Sequence, residues 1–344
     1  MDFASDNRAA ASAPVSAALA ALTGTAPSYG ADDLTRSVER RLCDLFEREI
    51  RVFFVSTGTA ANVLSLESLM KPGGVVVCHA DAHILADEGG AVEALAGARL
   101  HGVPGEAGKL TVDTVARAIG RYLPAAVHHG RPVAVSLTQA TEYGTVYRPD
   151  EIAGIADIAR RHGMGVHMDG ARFSNALVSL DVTPAEMTWK AGVDVLSLGA
   201  TKNGCWCAES VVLFDPARAE DFAYAHKRSA QLISKSRFVA AQFAAWLEGG
   251  HWLENARHAN AMARRLADGI VASGRGRLFV APEANEVFAI LDESDVERLE
   301  ASGAAFYPWT ASGDAPADGR LIRLVTSFAT DPAEVDRFVG HLAG

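Results

Sequence analysis

Cysteine is scarce in this chain: four residues of 344. Cys205-Trp-Cys207 is too closely spaced for an ordinary disulfide. Cys43 and Cys78 do not form a second close pair that would complete a zinc site. Reduced, structural thiols and no metal centre are expected. Long apolar runs are also missing, so no membrane span is expected. The opening Met1-Asp-Phe-Ala-Ser5-Asp-Asn7-Arg8 has no basic region followed by an apolar stretch. It does not read as a signal peptide, and a cytosolic (cytoplasmic) protein is expected. Positive charge is not in excess: 32 Lys and Arg against 42 Asp and Glu leave a net charge of −10. That argues against nucleic acid or an anionic membrane as partner. An anionic ligand would have to be held by local cations and backbone amides. There is no internal repeat, low-complexity tract or flexible linker.

What is present is an alternation of short apolar runs with amphipathic stretches. Leu34, Val38, Leu42 and Leu45 recur at three- and four-residue spacing, one face of a helix. Strands are expected at 51–55, 75–78, 99–103, 133–137, 165–168, 193–198 and 210–214. Helices are expected between most of them, at 112–123, 149–162 and 184–191. Such alternation predicts an α/β fold, with an open, mostly parallel sheet carrying helices on both faces. Runs such as Val75-Val-Val77 fit strands buried on both sides. After about Phe214 the pattern changes. Residues 216–273 read as almost wholly helical, and 277–344 as a small α+β unit with strands at 286–291 and 321–326 and a helix from Pro332. The expected division is a large domain over residues 1–250, including the N-terminal segment, and a small C-terminal domain over 251–344.

Two phrases end buried strands: His167-Met-Asp169-Gly-Ala-Arg172 and Ser197-Leu-Gly-Ala-Thr201-Lys202-Asn-Gly204. They can place a carboxylate and an amine at one rim of the sheet, where open α/β folds bind ligands. Pyridoxal phosphate needs such a pair: a lysine to bond its aldehyde and an acid to keep its pyridine nitrogen protonated. A lysine after Val195–Ala200 loses hydration and becomes a better nucleophile. Asp169 is also placed to be a plain helix cap.

Ser56-Thr57-Gly58-Thr59 follows a strand and opens a helix, which suits a phosphate monoester. It is neither a Walker A loop nor a dinucleotide fingerprint, and taken alone it reads first as a plain helix cap. His83 lies after the strand ending at Cys78. It is placed to stack on a flat ring or relay a proton, or to be an ordinary loop histidine. His128 and His129 precede a strand, at its opposite end. Arg172 suits a phenolate or a substrate carboxylate. Arg323, inside the apolar Leu321-Ile-Arg-Leu-Val325, needs an anion, which a carboxylate or a structural ion pair supplies.

Together these phrases resemble the threonine aldolase family, pyridoxal-phosphate enzymes of the aspartate-aminotransferase-like type I fold. The resemblance rests on Ser5-Asp6-Asn7, Tyr29-Gly30, Thr57-Gly58-Thr59-Ala60, Asp81-Ala-His83-Ile, Asp169-Gly-Ala-Arg172, Thr201-Lys202-Asn-Gly204, Arg257-His-Ala-Asn260 and Arg323-Leu-Val-Thr326-Ser327. The C-terminal half resembles the bacterial low-specificity members. The resemblance implies that Lys202 bonds the cofactor, Asp169 pairs with the pyridine nitrogen and His83 stacks on the ring. Gly58 and Thr59 would hold the phosphate, and Ser5, Arg172 and Arg323 the substrate carboxylate. It implies retro-aldol cleavage of L-threonine, L-allo-threonine and phenylserine-like β-hydroxy-α-amino acids to glycine and an aldehyde. His83, His128 or a water would be the base. It also implies a homotetramer, a dimer of dimers, with active sites at dimer interfaces that Tyr29, Lys227, Arg228 or Lys235 would reach. Arg8 and Ala200 depart from the family's usual residues. A β-eliminating lyase or a transaminase with the same cofactor is the rival reading, since fold alone does not choose the bond broken.

Overall fold

The computed structural model describes residues 1–122, 127–310 and 318–344. The expected helix end at Leu123 and most of the Ser312–Gly319 loop lie outside these. Seven strands form the larger sheet: β1 (Arg51–Val55), β2 (Gly74–His79), β3 (Arg99–Val103), β4 (Arg131–Thr138), β5 (Gly165–Gly170), β6 (Val195–Gly199) and β7 (Glu209–Leu213). Their order is β1-β7-β6-β5-β4-β2-β3. The pairs from β3 across to β6 are parallel, and β7 runs antiparallel to both β6 and β1. Two antiparallel contacts leave β1 parallel to β6, so β1, β2, β4, β5 and β6 all end at one rim.

Side chains alternate across a strand, and this sheet is buried on both sides. Val76, Cys78, Val211 and Leu213 pack on one face against Ala61, Leu64 and Leu66 of the Gly58–Glu67 helix. Val77, Val166, Met168, Leu196 and Val212 pack on the other. There they meet Val38 and Leu42 of the Asp33–Leu45 helix and Ile152 and Ile155 of the Pro149–Arg161 helix. The mostly parallel sheet with helices on both faces is therefore present, with an antiparallel β7 that the apolar pattern did not reveal.

A second sheet is antiparallel, in the order β10-β11-β9-β8, from β8 (Gly276–Val280), β9 (Glu286–Leu291), β10 (Tyr307–Pro308) and β11 (Arg320–Val325). The long His251–Ala272 helix and the Pro332–Ala343 helix bury Leu266, Ile270, Val335 and Phe338 against it. The first residues of the chain reach the second sheet. Phe3 packs in this second cluster. Its N–H donates to Ala305 O at 2.8 Å, and its carbonyl accepts from Val325 N at 2.7 Å. A buried phenylalanine flanked by backbone pairing fixes the segment to the smaller unit. Among the described residues no helix is long and apolar enough to cross a membrane.

Candidate active site

Asp169 is at the end of β5 and Lys202 follows β6, its hydrogen-bonded neighbour. Both line one cavity of about 270 Å³, with Asn7, Ser56, Thr57, Gly58, Thr59, Asn62, His83, Glu88, Glu142, Arg172, Thr201 and Glu209. The backbones crowd at this rim. A Cβ on Gly199 would stand 2.8 Å from Ala171 Cα, so the glycine lets the loop after β5 close over β6.

Asp169 is held by two donors. Asn62 Nδ2 donates to its Oδ2 at 2.8 Å, and the Ala171 N–H to its Oδ1 at 3.0 Å. Each oxygen keeps a lone pair for a further donor. Asn62 also donates to Glu88 Oε1 at 2.8 Å, and that oxygen accepts from His83 Nδ1 at 2.8 Å. The Glu88 side chain is fully enclosed. A chain Asp169–Asn62–Glu88–His83 thus runs along the cavity wall. The hydrogen bond to Glu88 raises the His83 pKa, against burial and Lys202, with help from Glu142 and Asp169.

The Gly58–Glu67 helix points its N-terminus into the cavity. Thr57 caps it, accepting from Ala60 N at 3.1 Å. The cap does not exclude an anion site, because the amides of Gly58 and Thr59 stay at the open end. Ser56 is engaged elsewhere, its N–H and hydroxyl both donating to Gln231 Oε1. Cys207 Sγ contacts Ser56 O at 3.0 Å, and neither Cys205 nor Cys207 lines the cavity.

Arg172 is at the wall but heavily engaged. Its Nε and Nη2 donate to the two oxygens of Asp6 at 2.8 and 3.0 Å, and its Nη1 lies 3.2 Å from Glu286 Oε2. Burial would raise the Asp6 pKa, but Arg172, Lys202 and the hydrogen bonds from Arg172 and Asn285 outweigh it and lower it. Burial raises the Glu286 pKa despite Arg172 and Arg323. Arg323 is not on the cavity wall. Its guanidinium lies over the rings of Trp309 and Tyr307, at 5.1 and 5.8 Å, and its buried Nε has no partner among the described residues.

Two residues singled out in the sequence, His128 and Ser5, lie off the cavity wall in a single chain. His128 is exposed, in the turn that enters β4, at the rim of the sheet opposite the cavity. A parallel strand separates its two ends by its own length, so the same chain cannot supply His128 to this site. Ser5 caps the short Asp6–Arg8 turn, accepting from Asn7 N, and Asn7 takes the place at the wall. Arg8, which departs from the family's usual residue, is paired with Asp2 at 2.9 Å.

Sequence reading missed Asn62, Glu88, Glu142, Glu209, Asp6 and Glu286. Glu142 follows β4 and accepts from the His83 N–H at 3.1 Å. Burial pushes its pKa up to about 7, with His83 and Lys202 lowering and Glu286 and Asp169 raising it. Glu209, on β7, accepts from Thr201 N at 3.2 Å and is also raised by burial to about 7. A carboxyl inside an otherwise apolar strand, as in Glu209-Ser-Val-Val-Leu213, was the available signal.

The residues fit a pyridoxal phosphate: an oriented acid, an amine on the next strand, a helix N-terminus and an imidazole share one cavity. Fold and site together define a pyridoxal-phosphate-dependent enzyme of the type I class. A beta-eliminating lyase family model matches residues 2–294. A low specificity L-threonine aldolase of Pseudomonas sp. (strain NCIMB 10558) is 41% identical over 335 residues, covering 97% of this chain and 94% of its own. One from Pseudomonas aeruginosa is 43% identical over 333 residues, covering 96% and 93%. A solved structure of Leishmania major threonine aldolase superposes with a TM-score of 0.92 at 28% identity, over 99% of this chain and 98% of the other. The chain belongs to the low-specificity L-threonine aldolases, pyridoxal-phosphate lyases within the beta-eliminating lyase family.

Proposed function

We propose that this chain cleaves L-threonine, L-allo-threonine and related β-hydroxy-α-amino acids, phenylserine among them, to glycine and an aldehyde. The observation that carries the reading is the joining of Asp169 and Lys202 in one cavity beside His83. Bound there, pyridoxal phosphate supplies a sink for the electron pair released when the Cα–Cβ bond breaks. Lys202 would hold the cofactor through its aldehyde, the position at which the substrate's amine would be received. Asp169, fixed by Asn62 and the Ala171 amide, holds the pyridine proton. Gly58 and Thr59 offer amides to the phosphate, and His83 covers the ring. Arg323, beyond the cavity wall and with a buried Nε that has no partner among the described residues, is taken as the carboxylate anchor, because Arg172 already carries Asp6 and Glu286. Arg172 serves as the frame that keeps Asn7 and the N-terminal segment at the wall.

The chain works in this reading as a cytoplasmic homotetramer, a dimer of dimers with active sites at its interfaces. Tyr29 and Trp206, 52% and 69% exposed, favour a cover from a second copy. His128 takes part only if a second copy brings it in. Residues 1–250 and 251–344 are taken as the two domains, with the first few residues counted with the second.

The test measures glycine release from threonine, allo-threonine, phenylserine and hydroxyaspartate side by side. Absorption near the visible–ultraviolet boundary is followed as pyridoxal phosphate is added. Cleavage of threonine, and loss of the absorption band in Lys202→Ala, are expected. Amination of an α-keto acid, or release of ammonia and a keto acid without glycine, would overturn the reading.

A further inference from the structure

Retro-aldol cleavage needs a base for the β-hydroxyl proton, and several groups near the cavity are already committed. His83 Nδ1 lies 2.8 Å from Glu88 Oε1, and that bond raises the pKa of the imidazole. With Nδ1 engaged there and the ring assigned to cover the cofactor, His83 is already committed. His167 lies between the hydroxyls of Ser136 and Ser197, at 2.9 and 3.0 Å, and is fully buried. Asp169 is required by the pyridine nitrogen, and Lys202 by the aldehyde. Glu209 is held against Thr201, beside the proposed phosphate cradle. His128 is at the far rim.

Glu142 lines the same cavity, and the hydrogen bond it accepts comes from the backbone N–H of His83. No arginine or lysine pairs with it among the described residues, whereas Glu88 is bonded to both Asn62 and the His83 ring. We propose that Glu142 is the catalytic base that takes the β-hydroxyl proton, while Glu88 is a positioning residue that keeps His83 from that role. The proton passes from the β-oxygen to the Glu142 carboxylate as the Cα–Cβ bond breaks and the C–O bond becomes the aldehyde carbonyl. The electron pair stays with the Cα fragment, shared with the bound cofactor. Cα gains one proton to become glycine, which balances the one taken, so no oxidant or co-reactant is required. His83, Asp169, Glu286 and Lys202 all face Glu142 and set its ionisation. At neutral pH it is divided between carboxylate and acid, as an efficient base should be.

The inference rests on the proposed cleavage, and its test separates the two. In wild type carrying pyridoxal phosphate, kcat for threonine should fall on the acid side of about 7. Glu142→Gln should lower kcat by about a hundredfold or more, flatten that acid limb, and leave the cofactor absorption band and glycine binding in place. Glu142→Asp should recover part of the rate. An independent readout needs no turnover: the infrared carboxyl bands of cofactor-free wild type, minus those of Glu142→Gln, should titrate near 7. Wild-type kcat and acid limb in Glu142→Gln would overturn the assignment, as would their loss in His128→Asn with Glu142 intact. A Glu142→Gln protein that no longer takes up the cofactor would also overturn it, making Glu142 structural. If wild type cleaves no β-hydroxy-α-amino acid, the function falls first, whatever Glu142 does.

Discussion

Replacing Asp6 with alanine tests whether the N-terminal segment is clamped to the site by charge. Asp6 is 1% exposed. It accepts two bonds from Arg172 and one from Asn285 Nδ2 at 3.0 Å. Without it, Arg172 stays buried with Glu286 alone, and the Asn285 amide keeps only the Thr326 carbonyl at 2.7 Å. Removing one member of a buried ion pair costs about 3–5 kcal/mol. Glu286 still neutralises Arg172 in part, so the expected loss is at the lower end, about 3 kcal/mol. With an unfolding entropy of about 2.1 cal/mol/K per residue, the 344 residues unfold with about 0.7 kcal/mol/K, and Tm drops by about 4 °C. The carboxyl is held below its ordinary 3.8, so its contribution is complete above that value. It is lost as pH falls through the lower folded value. The assay is urea denaturation of the cofactor-free protein, with Glu286→Ala and the double variant alongside. Because both carboxylates act on one guanidinium, the two losses should depart from additivity by more than about 0.5 kcal/mol. A loss under about 1 kcal/mol for Asp6→Ala, or strict additivity, would refute the shared clamp.

Glu142 also predicts a pH dependence of stability. Its pKa rises from 4.5 to about 7 on folding. The folded state therefore keeps a proton that the unfolded chain has released, and stability falls as pH rises from about 4.5 through 7. At 1.36 kcal/mol per unit the fall approaches roughly 3 kcal/mol. Denaturation across that range should show the slope in the cofactor-free wild type and a smaller one in Glu142→Gln; equal slopes would discount the buried carboxyl. Arg323→Leu should raise the KM for threonine about 10- to 100-fold, the loss of a charge-assisted bond of about 1.5–3 kcal/mol, with kcat nearly kept. An unchanged KM would leave Arg323 as a structural partner of Glu286 and the aromatic pair.

Most strands were legible because their burial is written in consecutive apolar residues. Arg51–Val55, Arg99–Val103 and Glu286–Leu291 have the expected limits. The direction of β7 was not, since an apolar run reads the same in both directions. Asp169 stands at the end of a strand, and Gly58, His83 and Lys202 each come after one, at the rim where such a fold collects ligands; that is why the sequence singles them out. What stayed hidden are the partners that aim them. Asn62 reaches Asp169 across 107 residues, and Asp6 reaches Arg172 across 166. Asn62 sits inside a helical run whose neighbours are plain core, so no local period marks it. Glu142 carries no local sequence signal; the end of β4 and the His83 turn enclose it. Burial changes such a group most, because a carboxyl without a cation partner shares its proton where a surface glutamate would not. The cofactor was therefore readable from two phrases of sequence. The choice among bases depends on which carboxyl is tied to an amide and an imidazole ring, Glu88, and which accepts from a backbone N–H, Glu142.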